Sequence, residues 1–183
     1  MPKVQFKLGF SNSEIPAVAA RYEMDDRERR IVDDIGRSTR LRGYFTKPEL
    51  LEIAHWKAGP RTQWLCAQNA EADVESVTRL ALATPTERLR IEALMLLVGV
   101  AMPTASVLLH LGHHEPYPIL DFRALWSLGV DANTVTYNVA LWEGYVNECR
   151  RLAKEAGVTM RELDRALWQF SKEHQVGLVN PAR

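Results

Sequence analysis

Cysteine is scarce in this chain of 183 residues: Cys66 and Cys149 are the whole complement. They form neither a CxxC nor a Cys/His spacing. A cysteine-ligated zinc or a four-cysteine iron–sulfur cluster within one chain is therefore excluded, and two unpaired thiols fit a reducing, cytoplasmic setting. Net charge is lacking too, because 23 Lys+Arg balance 23 Asp+Glu. That counts against a protein that coats nucleic acid by bulk charge. Local cation runs remain, RERR at 27–30, RSTRLR at 37–42 and Lys47, and such runs most often form a solvated helix face. No apolar run is long enough to span a bilayer, and MPKVQFKLGF is too short and too weakly apolar for a signal peptide. Alternating strand patterns, repeats and low-complexity tracts are missing. So are a Walker-type loop, an HExxH pair and a Ser/His/Asp elbow, which removes the sequence grounds for those nucleotide-binding and hydrolytic machineries.

What the chain does have is an ordinary globular mixture, 46% hydrophobic and 25% charged, at a length that buries a real core. Nearly every periodic segment reads as helix. SNSEIPAVAARYEM predicts a first helix entered at Ser13, and DDRERRIVDDIG a second closed by Gly36. TKPELLEIAHWK opens on a capping box, Thr46 with Glu49, and PRTQWLCAQN is a short helix starting at Pro60. DVESVTRLALA offers Val74, Val77, Leu80 and Ala81 as a buried stripe. Thr84, Pro85 and Glu87 give TPTERLRIEALMLLV an N-cap, an N1 proline and an N3 acid. A helix from Pro103 to about Gly112 follows, then FRALWSLG behind Asp121, and a long helix from about Thr134 to Ala156 closed by Gly157. Thr159 and Glu162 form a further capping box for RELDRALWQFSKEH. The expectation is an all-α single domain, residues 1–183, with short connections.

One stretch carries more than packing. LVGVAMPTASVLLHL, residues 97–111, turns at Gly99 and restarts at Pro103. A glycine with φ > 0 suits the residue after a helix, and a proline suits the first turn of the next. The result is a helix–hairpin–helix unit at about 85–112. Its plain reading is an αα-hairpin that only packs. Its chemical reading is an anion site, in which free backbone N–H groups and the N-terminus of the second helix meet a DNA phosphate.

This stretch, followed by YPILDFRALWSLG, resembles the helix–hairpin–helix DNA glycosylase superfamily, which includes endonuclease III and the adenine mismatch glycosylase. The matching positions are Gly99, Val100, Thr104, Ala105, Pro118, Ile119 and Asp121, within residues 84 to 130. The resemblance implies that Asp121 is the catalytic aspartate, offsetting charge on the sugar as the base departs and helping to place water. It implies a DNA-binding hairpin at Gly99, Val100, Ala101 and Thr104, with the backbone amides at Gly99, Ala101 and Thr104 meeting phosphate. Carbonyls near Val98 and Val100 would hold a monovalent cation, as in some relatives. Two positions depart from the pattern. Ala101 replaces the second glycine, and Pro103 stands where bifunctional members carry a Schiff-base lysine, so β-lyase chemistry by that route is not expected.

Other candidates carry competing readings. Asp121 before a helix is a ready N-cap, and capping is compatible with catalysis. His110 and His114 form an i, i+4 pair interrupted by Gly112, so with His113 and Glu115 they read as a polar loop rim before a metal site. Trp56, Lys57 and Arg61 form either an aromatic–basic surface for unpaired bases or a buried tryptophan with a snorkelling lysine. Trp126, Trp142, Tyr145, Trp168 and Phe170 have core spacing. The expectation is a monofunctional DNA N-glycosylase-like protein using Asp121, with Gly99, Val100, Ala101, Thr104, Lys57 and Arg61 on DNA, and no cofactor, metal or membrane. The alternative is a non-catalytic helix–hairpin–helix module that binds DNA or a protein partner.

Overall fold

A computed structural model describes residues 4–175, and among these the regular structure is entirely helical. No helix is long and apolar enough to cross a membrane. Contacts divide the chain into two compact units: one joins residues 4–23 to 116–175, and the other is the contiguous segment 24–115.

The contiguous unit is built around one very apolar helix. A first helical stretch comprises α2 (Asp26–Arg30), a π-helical turn at Ile31–Ile35 and α3 (Gly36–Arg42). The helices α4 (Lys47–Ala58), α5 (Pro60–Cys66), α6 (Glu71–Ala83), α7 (Glu87–Leu94) and α8 (Met102–Gly112) follow. Helix α8 is buried almost all round, with Val107, Leu108 and Leu109 sealed from solvent. It packs against α3, α4 and α7, and each fully buried leucine there is worth about 1.5–3 kcal/mol of transfer free energy. The capping box of Thr46 and Glu49 forms as expected.

Three boundaries and one buried stripe in this unit differ from the sequence expectations. Gly36 does not stop the second helix, which runs on to Arg42 and ends at Gly43, with φ +83°. Gly36 takes ordinary helical angles, φ −58° and ψ −44°, so the helix runs through it beside α8. On α6 the buried stripe is Val74, Thr78 and Ala81; Leu80 is exposed, and Thr78 replaces it by accepting the Phe45 N–H while donating to the Val74 carbonyl. Helix α7 starts at Glu87 behind Thr86, without a side-chain cap. Thr84 Oγ1 turns to the Thr86 N–H, and its carbonyl accepts Arg90 Nε at 2.8 Å. Finally, α7 ends at Leu94, so Met95–Val98 belong to the turn.

The other unit brings the chain's beginning to its end. Ser11, not Ser13, caps the first helical segment, closing a box with Glu14 around a 3-10 turn that leads into α1 (Ile15–Ala20). Helix α1 packs on α11 (Met160–His174), which also packs on α9 (Phe122–Ser127) and α10 (Val139–Ala156). The N-terminal strip pairs with the end of α9 through Lys7 N–H to Leu128 O and Gly9 N–H to Ser127 O. Helix α10 begins later than its apolar spacing suggests, because Asn138 caps it by accepting the Leu141 N–H. Gly157 closes it, and the Thr159–Glu162 box opens α11. Trp142 and Tyr145 are core residues, whereas Trp126, Trp168 and Phe170 are only half-buried.

Candidate functional site

Asp121 ends an extended run that is fastened residue by residue. Tyr117 is buried and stacks on Trp142 with ring centroids 5.9 Å apart. Arg150 Nε donates to the Pro116 carbonyl at 3.1 Å, and Tyr145 Oη donates to the Ile119 carbonyl at 2.8 Å. Pro118 favours extended backbone at Tyr117, which delivers the chain straight to the start of α9. Asp121 is the N-cap there: Oδ1 accepts the Ala124 N–H at 2.8 Å, and its carbonyl accepts the Leu125 N–H. The side chain is half-buried rather than sealed. Its charge is felt nearby. The Tyr137 phenol is pushed up by burial and then by Asp121, and Tyr145, fully enclosed, is raised in the same sense.

The hairpin lies in the contiguous unit. Gly99 has φ +82°, and its α-carbon sits directly on the end of α5: a Cβ would lie 2.7 Å from Leu65 Cβ and 2.9 Å from the Cys66 backbone nitrogen. Asn69 holds the turn from below. Its Oδ1 accepts the Val98 N–H at 2.8 Å, and its Nδ2 donates to the carbonyls of Val98, at 2.9 Å, and Cys66, at 2.8 Å. The Val98 carbonyl named above as a cation ligand therefore already accepts a hydrogen bond. Val100 is buried, and its N–H closes the turn onto Leu97 O. Among the described residues the N–H groups of Gly99, Ala101, Met102 and Thr104 have no acceptor, and α8 has no side-chain cap. Ala101 is exposed; Thr104 buries its side chain, so its amide is what it can offer. An uncapped helix start with bare amides favours a bound anion.

The surface around this turn is apolar. Leu96 is 74% exposed, Trp64 66% and Val98 45%. Trp64 directly precedes the Leu65–Cys66 pair on which Gly99 rests. Arg61 lies one helical turn before Trp64 and is exposed, while Lys57 and Trp56 on α4 are half-buried. Cys66 is sealed beneath the turn, and burial pushes its thiol up to about 11.

The histidine group resolves into two arrangements. His110 lies within α8, while His114 lies beyond its end at Gly112, so helical i, i+4 geometry is lost. His113 Nδ1 accepts the Glu115 N–H at 2.9 Å, and burial followed by the neighbouring Arg90 charge pulls its imidazole below the ordinary range. Arg90, buried, lies 3.5 Å from Glu115 and 3.7 Å from Glu87. Among the described residues no group of three His, Cys, Asp or Glu side chains could hold a metal ion.

Asn69, Trp64 and Leu96 had no sequence signal as site residues. Asn69 acts on a turn 29 positions away, a separation no local pattern records. Comparisons with protein-family models, curated proteins and solved structures found no match to this chain. The fold defines an all-α protein that carries a glycine-turned hairpin with open amides and, separately, a capping aspartate at the end of an anchored extended run.

Proposed function

We propose that this chain is a monofunctional DNA N-glycosylase-like protein of the helix–hairpin–helix kind, hydrolysing a base–sugar bond with Asp121. The observation that carries the reading is the hairpin: a left-handed glycine followed by amides without an acceptor at the start of α8. Those donors suit a phosphate. In the reaction the glycosidic bond breaks, the base leaves with its bonding electrons and takes up a proton, and water forms the new bond at C1′. The Asp121 carboxylate offsets the positive charge that develops on the sugar. The target base would be turned out of the duplex to be reached. Pro103 provides no amine, so no Schiff base forms at that position.

The test is Asp121→Asn against a panel of oxidised, alkylated, deaminated and mismatched duplexes, with released base measured by mass spectrometry. Asparagine preserves the N-cap and removes the charge. The expected outcome is release by the wild type and none by the variant, with equal DNA binding and equal melting. Release that persists in the variant removes Asp121 from the chemistry. No release by the wild type from any substrate favours the second reading, a non-catalytic module that binds a protein partner or DNA. One observation supports that reading: the 95–98 turn exposes Leu96 and Val98, and exposed apolar side chains of this kind mark protein contacts.

A further inference from the structure

Cations in the unit of residues 4–23 and 116–175 are held in two different ways. Arg21 is paired with Glu173 at 2.7 Å, Arg151 with Glu148 at 2.6 Å and Arg161 with Asp164 at 2.6 Å. Their charges are largely matched by carboxylates. Arg123 and Lys172 differ. Arg123 Cζ lies 5.2 Å from the centre of the Trp168 ring and also 5.2 Å from that of Phe122, and Lys172 Nζ lies 5.3 Å from Trp168. Neither has a carboxylate partner among the described residues. Tyr22 meets Trp168 edge-on at 5.2 Å, and Arg165 approaches the Tyr22 ring at 5.9 Å. An aromatic ring positions a cation without cancelling its charge. The result is a surface on α9 and α11 where full positive charge stands over half-exposed aromatic rings.

We infer that the Arg123–Trp168–Lys172 surface binds the phosphodiester backbone of a nucleic acid strand, on the DNA reading proposed above. Two separate cations stand on one ring, which suits a polyanion that meets both. Cations beside aromatic side chains are the combination that nucleic acid strands require, phosphates meeting charge and bases meeting rings. Arg123 is two residues after Asp121 on the chain, so this surface and the candidate carboxylate share one short helix.

The experiment uses the full chain with fluorescein-labelled duplex and single-stranded oligonucleotides, followed by anisotropy between about 50 and about 200 mM salt. Arg123→Gln with Lys172→Gln removes two charges, and Lys154→Gln, an exposed lysine on α10, serves as the charge control. Circular dichroism melting checks folding. The double variant is expected to lower the slope of log K against log salt by about 1.8 on duplex DNA, about 0.9 for each phosphate no longer neutralised. The control is expected to leave it unchanged. An unchanged slope in the folded double variant overturns the inference. So does a loss of the same size in the control, or a double variant that loses binding only to anionic vesicles. Base release and this slope are separate readouts. If no substrate loses its base but the slope falls as stated, the surface stands and the catalytic reading fails. Base release with an unchanged slope overturns the surface and leaves the catalytic reading standing.

Discussion

Replacing Gly99 by alanine adds one carbon where two separate constraints forbid it. The first is local: at φ +82° an alanine is in the left-handed region, which costs roughly 1–2 kcal/mol. The second is tertiary: the new Cβ would sit 2.7 Å from Leu65 Cβ, 2.9 Å from the Cys66 nitrogen and 3.1 Å from Cys66 Sγ. The nitrogen belongs to the backbone of α5 and has little freedom to retreat, so overpacking adds about 1–3 kcal/mol. Gly43 is the internal control. Its φ is +83°, yet nothing lies within 4 Å of its would-be Cβ, so Gly43→Ala carries the first cost alone. Urea denaturation followed by circular dichroism should therefore place Gly99→Ala about 2–5 kcal/mol and Gly43→Ala about 1–2 kcal/mol below wild type. Equal costs for the two variants would refute the packing argument and leave Gly99 as a turn residue with no special seat on α5.

Three further outcomes follow from the same geometry. Asn69→Ala strips the Val98 N–H and two carbonyls of their partners, and should lower stability by about 1–3 kcal/mol, with hydrogen exchange accelerated at Val98. Cys66, buried with its thiol pushed up to about 11, should react with a thiol reagent at mildly alkaline pH only as fast as the turn opens, and faster in Gly99→Ala. His113 titrates below the ordinary 6.5 when folded, so the unfolded chain takes up its proton first. Stability should be full above about 6.5 and fall as pH drops through the folded value; His113→Gln should flatten that part of the profile, and NMR titration of the ring should show the lowered midpoint.

Features whose chemistry lies within a few residues were legible in the sequence. The Thr46–Glu49 and Thr159–Glu162 boxes, the Asp121 cap and the closing Gly157 all form where their spacing puts them. Legibility failed where a distant group claimed the same atoms. Thr84 looked like a cap because of Pro85 and Glu87, but Arg90 takes its carbonyl and the Thr86 N–H takes its hydroxyl. Gly36 looked like a stop, but it takes ordinary helical angles and the helix runs through it to Gly43. For the candidate site, Gly99 and its open amides were readable from the turn pattern. The Asn69 clamp was not, because it depends on the end of α5 and the 95–98 turn meeting in space.

The split of the chain also orders events in time. Helix α1 is synthesised well before its partner α11; the Arg21–Glu173 pair spans 152 residues. At ribosomal rates of about 5–20 residues per second, that gap lasts about 8–30 s. Residues 24–115 are made and completed within it, while Ile15 and Val18, both core residues in the finished protein, have no α11 to cover them. Until α11 emerges, a nascent chain of this design carries the apolar face of α1 without its cover. That interval is when a chaperone holding α1 would affect yield most.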